Sequence, residues 1–311
     1  MQKHSDGRVK IAVAICTYKR NEPLRLLLNG LVQCADRIRQ RAALGVVIVD
    51  DTAEGLARAV AGEFADTFEL GMTYRIAGHQ NISIARNAAL EEALRFADWI
   101  AMTDDDCEAD PDWLKEFLAV QQRTEADAVT GALRRRAPEG SPAWLTEQPF
   151  MDMGISRAED GSACSMAATN CSMIRAEWLR SHPEVRFDPD LGVLGGEDMV
   201  FYRQAHALGL RIHYSSAGFV YENQPADRLT LRYQIARSFW EGNSSYVTCV
   251  RDGGQSWRMF LHGAACSVRA VGRPLKRLYR RQSPQFRYCL ADVANGVGKM
   301  IGIFGVRVSH H

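Results

Sequence analysis

Residues 98–114 read DWIAMTDDDCEADPDWL. Trp99 to Met102 is an apolar run of strand length that stops at Thr103-Asp104-Asp105-Asp106, and Asp110-Pro111 then caps a helix. Upstream, KIAVAIC (10–16) and GVVIV (45–49) have the continuous apolar character of strands buried on both faces. The second of these ends in Asp50-Asp51. Between them Asn21 and Pro23 open a helix with the stripe Leu24, Leu27, Leu28, Leu31 and Val32. A helix near 53–65, a strand near 72–77 and a helix from Ile82 to Ala97 complete a βαβαβαβ order. That order predicts an α/β fold with a doubly wound, mainly parallel sheet. In such sheets ligands bind outside the carboxyl ends of the strands. Both acidic clusters, far apart in sequence, therefore belong at one rim.

The second half is less regular. Strands are expected at Ala128 to Leu133, Met166 to Ile174 and Arg211 to Tyr214. Residues 137–165, rich in Pro, Gly and Ser, suit a long mobile loop. Gly195-Gly196-Glu197-Asp198 opens a helix that closes at Gly209, and Leu229 to Glu241 reads as a basic amphipathic helix.

Composition narrows the function classes. At 46% hydrophobic and 24% charged, the 311-residue chain is globular rather than disordered or fibrous. Its formal charge of +1 hides a division. Residues 225–311 carry 14 basic and 4 acidic residues, a surplus of +10, and residues 1–224 carry 24 and 33, a surplus of −9. The acidic body argues against a nucleic-acid groove there. None of the eight cysteines forms a C-x-x-C pair, which argues against zinc or an iron–sulfur cluster and suits a reducing compartment. A polar N-terminus and the lack of a clean bilayer-spanning window give a cytoplasmic expectation.

The acids carry the chemistry. Adjacent aspartates at a strand end repel one another unless a cation is present. Mg2+ and Mn2+ favour carboxylate oxygens, and Mg2+ takes one or two of them together with waters and phosphate oxygens. The plain alternative is a solvated acidic turn. Asp50-Asp51 could bond a ribose or base edge, or cap the next helix. Glu197-Asp198 could be ordinary helix-start acids. A carboxylate kept ionised beside a cleft could equally act as a general base.

Seven segments occur in an order that resembles glycosyltransferase family 2, the inverting GT-A (nucleotide-diphospho-sugar transferase) enzymes. They are VAICTYKR (13–20), VVIVDD (46–51), ISIARNAALEEA (82–93), DWIAMTDDDCEADPDWL (98–114), AATNCSMIR (167–175), GGEDMVFYRQAHALG (195–209) and PADRLTLRYQIARSFWEGNSSY (225–246). Within the family the chain is most similar to bacterial exopolysaccharide enzymes of the succinoglycan-biosynthesis type. The resemblance implies a GT-A catalytic domain over 8–224 and a basic helical C-terminal region over 225–311. It implies transfer of a sugar from a nucleotide-diphospho-sugar, UDP by default, to a hydroxyl of a glycan or polyprenyl-diphosphate-linked acceptor. It places Thr17, Tyr18 and Arg20 in the loop lining the nucleotide pocket, Asp51 near the nucleobase, and Arg86 and Asn87 at the pocket's edge. Asp104 and Asp105 fall in the donor-binding Asp-x-Asp region, Asp104 and Asp106 at the Mn2+ or Mg2+ site, and Asp198 at the catalytic base, supported by Glu197. Arg237 and Trp240 match loosely a helix that follows the base.

Three departures stand out. Asn81 replaces a glycine of many relatives, Tyr221-Glu222 lacks a histidine that some relatives place after this strand, and Arg-Ser-Phe-Trp replaces an adjacent Arg-Trp. His213 reads as a satisfied structural histidine or as a metal ligand. Two other functions compete. A nucleotidyltransferase would need a glycine-rich phosphate loop after the first strand, and CTYKRNEP has no glycine. A non-catalytic binding module would lack a base or a metal site. The basic tail, with Arg228, Arg232, Arg237, Arg269, Arg273, Lys276, Arg277, Arg280 and Arg281, suits an anionic membrane surface at the inner face of the cell membrane. It equally suits a helical cap on the body.

Overall fold

The computed structural model describes residues 7–151, 158–251 and 253–308. Its strands are β1 (Val9–Thr17), β2 (Ala42–Asp50), β3 (Met72–Ile76), β4 (Trp99–Asp104), β5 (Cys107–Ala109), β6 (Ala128–Arg136), β7 (Ala163–Cys164), β8 (Ser172–Arg175) and β9 (Ile212–Asn223). Its helices are α1 (Asn21–Ile38), α2 (Arg58–Glu63), α3 (Ile82–Ala93), α4 (Trp113–Thr124), α5 (Ala143–Glu147), α6 (Ala176–Ser181), α7 (Glu197–Ala207), α8 (Leu231–Arg251), α9 (Ser256–Tyr279) and α10 (Phe286–Ile301). They form two compact units. One comprises residues 7–134, 158–192 and 197–222, and the other 135–151, 193–196 and the described residues from 223 onward.

The first unit holds the sheet, ordered β3-β2-β1-β4-β8-β6-β9-β5, with β7 on β9. The ladders joining β3, β2, β1 and β4 are parallel. Those joining β4 to β8, β8 to β6, β9 to β5 and β7 to β9 are antiparallel. The α/β, mainly parallel expectation therefore holds, and its parallel part is the N-terminal half. Alternation along β1 explains the double winding. Ile11, Val13 and Ile15 pack with Leu24, Leu27, Leu28 and Leu31 of α1 and with Trp113 and Phe117 of α4. Ala12 and Ala14 face the other way, with Ala85, Ala88 and Ala89 of α3 and Phe201 and Tyr202 of α7.

Several boundaries differ from expectation. The helix after β4 starts at Trp113, and Asp110 instead accepts the backbone N–H of Asp112 in a local turn. The expected strand over 166–174 shrinks to β8, preceded by a 3-10 turn at Thr169–Cys171. The 137–165 stretch contains α5 and β7, and its residues 152–157 lie outside the described residues. The strand expected at 211–214 is the start of the much longer β9.

The second unit is mainly helical. Leu145, Phe150 and Ala291 form its small apolar cluster. Phe150 stacks edge-on against Trp144 and Tyr288, with ring centroids 5.3 and 5.2 Å apart. Both α8 and α9 pack on α10.

Candidate active site

The order β3-β2-β1-β4 makes the carboxyl ends of β1 and β4 a topological switch point. Register fixes what meets there. Cys16 stands beside Asp104, and Thr17 beside Asp50. The loop after β1, the end of β2 and the Asp104–Asp106 bend thus share one rim, as the strand pattern predicted.

The acids at this rim differ in their bonding. Asp50 is fully buried. One of its oxygens accepts the Thr52 N–H and hydroxyl, and the other accepts the Ala57 N–H and the Tyr74 hydroxyl. Burial works against its charge, but these bonds hold its carboxyl below the usual range. Asp51 accepts three backbone N–H groups, from His79, Gln80 and Asn81, at 2.8, 3.1 and 2.6 Å. It thereby shapes the segment leading into α3. Asn81 is extended rather than left-handed, and the positive φ falls on Gln80. Asn81 caps α3 by accepting the Ile84 N–H, and donates to the Pro189 carbonyl.

Asp105 is also a buried anchor. It accepts the Thr17 hydroxyl and the Arg20 guanidinium, each at 2.9 Å. The same Arg20 nitrogen donates to Asp106 at 2.9 Å. Tyr18 is half-buried beside them, with the Lys19 ammonium 4.9 Å from its ring centre. Arg20 is thus engaged by carboxylates, and the loop carries no glycine, so it is not built as a phosphate cradle. Burial pushes Asp106 up to about 7. Arg20 opposes that rise, and Asp104, Asp105 and Glu222 add to it.

Arg86 joins this cluster to α7. It projects from α3 and donates to Asp104 at 3.0 Å and to Glu197, with its side chain 12% exposed. Asn87, next to it, has both amide atoms engaged by the backbone of Phe187, at 2.8 and 2.9 Å. Arg86 and Asn87 therefore part company. Arg86 faces the acids, and Asn87 pins the 187 segment. Asp198 lies in the first turn of α7, where free N–H groups favour acids. One of its oxygens accepts the Met199 N–H at 2.7 Å. Burial pushes it up to about 6, with Glu197 adding to the rise and Arg86 opposing it.

Cys16, Arg86, Thr103, Asp104 and Thr169 line a small depression at this point. Burial drives the Cys16 thiol far above its ordinary value, so it stays protonated and is no nucleophile. His213 sits at the opposite end of β9 from Glu222, and its Nδ1 meets the Gly161 carbonyl at 2.8 Å. In the second unit the Trp240 ring lies against Gly195, where an added Cβ would stand 2.5 Å from it. Arg237 donates to Glu241 at 2.9 Å.

Glu222 is the one acid of the cluster that sequence reading did not place. It is buried and lies opposite Cys107 in the β5–β9 ladder. The signal was its period-two spacing with Val220, lost because the strand was expected to end at Tyr214. Among the described residues no three His, Cys, Asp or Glu side chains converge as a ready-made metal cage. A cation held by one or two carboxylates and by diphosphate oxygens needs none. The mutual repulsion around Asp106 is what such a cation would relieve, so the donor set fits it.

Comparison with known proteins agrees with this geometry. The family model "Glycosyl transferase family 2" matches residues 12–182. Succinoglycan biosynthesis protein ExoM of Rhizobium meliloti (strain 1021) is 30% identical over 304 residues, covering 96% of this chain and 94% of that protein. Among solved structures, S. aureus TarS 1–349 in complex with UDP-GlcNAc superposes with a TM-score of 0.55 at 13% identity, over 95% of this chain and 92% of that one. The mannosyltransferase PcManGT from Pyrobaculum calidifontis, in complex with GDP-Man and Mn2+, gives 0.58 at 16% identity, over 97% and 76%. These two share the fold.

Proposed function

The chain belongs to glycosyl transferase family 2 and is a glycosyltransferase of polysaccharide biosynthesis, and we propose that it transfers a sugar from a UDP-sugar, with inversion, to a hydroxyl of a glycan or polyprenyl-diphosphate-linked acceptor at the inner face of the cell membrane. The observation that carries this reading is the Arg86 bridge. It holds Glu197 of the Glu-Asp pair and Asp104 of the strand-end cluster on one guanidinium, although 93 positions separate the two acids. Asp104 and Arg86 line the depression, and the bridge to Glu197 ties the Glu-Asp pair to its edge. UDP is supported by analogy with TarS, and the solved mannosyltransferase keeps GDP in the field.

Asp198 is the base. Its free oxygen accepts the acceptor hydroxyl, while the Met199 N–H holds the other. As the acceptor oxygen bonds to the anomeric carbon, its proton passes to Asp198 and the carbon–oxygen bond to the diphosphate breaks. A carboxylate at about 6 is ionised at neutral pH, yet basic enough to take a proton as the hydroxyl acidifies. Glu197, tied to Arg86, orients the start of α7. Asp104 and Asp106 would hold the Mn2+ or Mg2+, which would supply Lewis-acid neutralisation of the departing diphosphate. Asp105, Thr17 and Arg20 fix the bend that presents them, with Tyr18 beside the nucleotide. Asp51 and Asn87 act through the backbone segments they hold.

The test is a panel of UDP-, GDP- and dTDP-sugars read by thermal shift with Mn2+ and by donor hydrolysis. One UDP-sugar should stabilise the protein. Asp198→Asn should lower transfer by about a thousandfold or more while keeping that stabilisation. Loss of both together would make Asp198 a helix cap and not a base.

A further inference from the structure

Helix α9 is built inside out. The side that packs on α10 carries small residues. Gly263 meets Gly296 so closely that a Cβ on Gly263 would stand 2.6 Å from the Gly296 carbonyl oxygen, and Ala270 and Pro274 are buried. The adjoining side, turned by about 110° at 100° per residue, carries a row of large apolar residues in the open. Trp257, Leu261, Val268, Val271, Leu275 and Leu278 are 54%, 55%, 72%, 66%, 72% and 51% exposed. Their spacing of three, four or seven residues makes one continuous stripe along a 24-residue helix, about 36 Å long. A soluble helix turns such a stripe inward. Contiguous exposed apolar surface of this extent marks a contact surface.

The charge beside the stripe identifies the occupant. At 100° per residue, Arg258, Arg269, Lys276 and Arg280 fall along one flank of it. No Asp or Glu occurs between Ser256 and Arg281. A second copy of α9 laid antiparallel against the stripe would bring arginine against arginine. An anionic surface would meet both features at once, and no helix among the described residues is long and apolar enough to cross a membrane. An amphipathic helix with large apolar residues and a cationic flank lies in the plane of the headgroup layer.

We infer that α9 is an in-plane membrane anchor, with the stripe from Trp257 to Leu278 sunk into the headgroup layer and the Arg258–Arg269–Lys276–Arg280 flank on anionic lipid phosphates. The inference rests on the reading of a membrane-inner-face enzyme, and it assigns the contact to α9. The apolar residues from Tyr288 to Ile301 belong to α10, and a 3-10 turn at Gly302–Phe304 follows.

The purified full chain is sedimented with phosphatidylcholine vesicles, with and without phosphatidylglycerol, in the absence of donor. The expected result is binding to the anionic vesicles only, weakened by salt. Arg269→Ser, Lys276→Ser and Arg280→Ser combined should lower that affinity about a hundredfold, near fivefold per cation. Val268→Asp with Leu275→Asp should abolish it. Circular dichroism and a UDP-sugar thermal shift, unchanged in both variants, show that the fold and the donor site are intact. Absence of vesicle binding, equal binding to both vesicle types, or a wild-type dimer that Leu275→Asp dissociates would each overturn the inference. Vesicle binding without any nucleotide-sugar response would instead overturn the proposed enzymatic reading and leave the anchor standing.

Discussion

Replacing Arg86 with methionine removes the one cation bridging Glu197 and Asp104 and leaves a side chain of similar length. Arg86 and Glu197 side chains are 12% and 9% exposed, so the loss strands a buried carboxylate. Breaking such a pair on one side costs about 3 kcal/mol or more. Asp104, at 37% exposure, is solvated and adds little. A Glu197→Gln partner substitution should restore most of the loss, because neutralising both members removes the uncompensated charge. Catalysis should respond in a way that simple instability would not reproduce. Burial and Glu197 raise Asp198 to about 6 while Arg86 holds it down. Without Arg86 the base protonates at higher pH. The acid limb of kcat/KM therefore moves upward, and each unit of rise above neutrality lowers kcat/KM at pH 7 about tenfold, recoverable at alkaline pH. Arg86→Lys should sit between the two, since a point charge cannot fork across two carboxylates. The assays are a pH profile of donor turnover and chemical unfolding of the four variants. An acid limb that stays in place in Arg86→Met, or a double variant no more stable than the single one, would refute the bridge.

Gly192→Ala should cost about 1–2 kcal/mol in a melting experiment, because its Cβ would lie 1.9 Å from the Asn81 oxygen that caps α3. Transfer should fall with it, since α3 carries Arg86. Asp50→Asn should destabilise by about 2 kcal/mol in urea, turning an acceptor into a donor among four donors. Asp50 titrates below its unfolded value, so its contribution is complete above about pH 4 and is lost as pH falls. The variant's deficit should therefore shrink on acidification. His213→Gln should leave the Mn2+ dependence of turnover unmoved, because His213 serves the Gly161 carbonyl. A shifted Mn2+ midpoint would contradict that assignment.

The parts of this molecule legible in its sequence are those governed by burial alone. β1, β2 and β4 read as unbroken apolar runs because parallel central strands are covered on both faces, and their order places Asp51 and Asp104 at one rim. β9 is longer than its sequence pattern indicates because Ser215, Ser216, Ala217 and Gly218 interrupt the alternation. There the chain bonds to itself, the Gly218 N–H reaching the Ser215 hydroxyl, and still continues as strand. Glu222 lies beyond that interruption. The inverted face of α9 was illegible for a different reason. A helical stripe announces that one side is covered, but not whether protein or another phase covers it.

The division of labour among the acids was beyond sequence as well, because it depends on donors brought in from elsewhere in the fold. Within each cluster the structure ties at least one acid down, and in the Asp50-Asp51 pair it ties both, Asp51 by three backbone N–H groups. Asp50 is tied by Thr52, Ala57 and Tyr74, Asp105 by Thr17 and Arg20, and Glu197 by Arg86. A strand or helix end bearing a single acid could either be fixed by it or present it. Adjacent acids allow both, because neighbouring side chains diverge and the first can anchor the backbone that aims the second. On this argument the doubled and tripled acids of the chain are not redundant charge. Neutralising Asp105 should unfasten the bend and impair Asp104 and Asp106 together, whereas neutralising Asp198 should stop proton transfer and leave the rim in place.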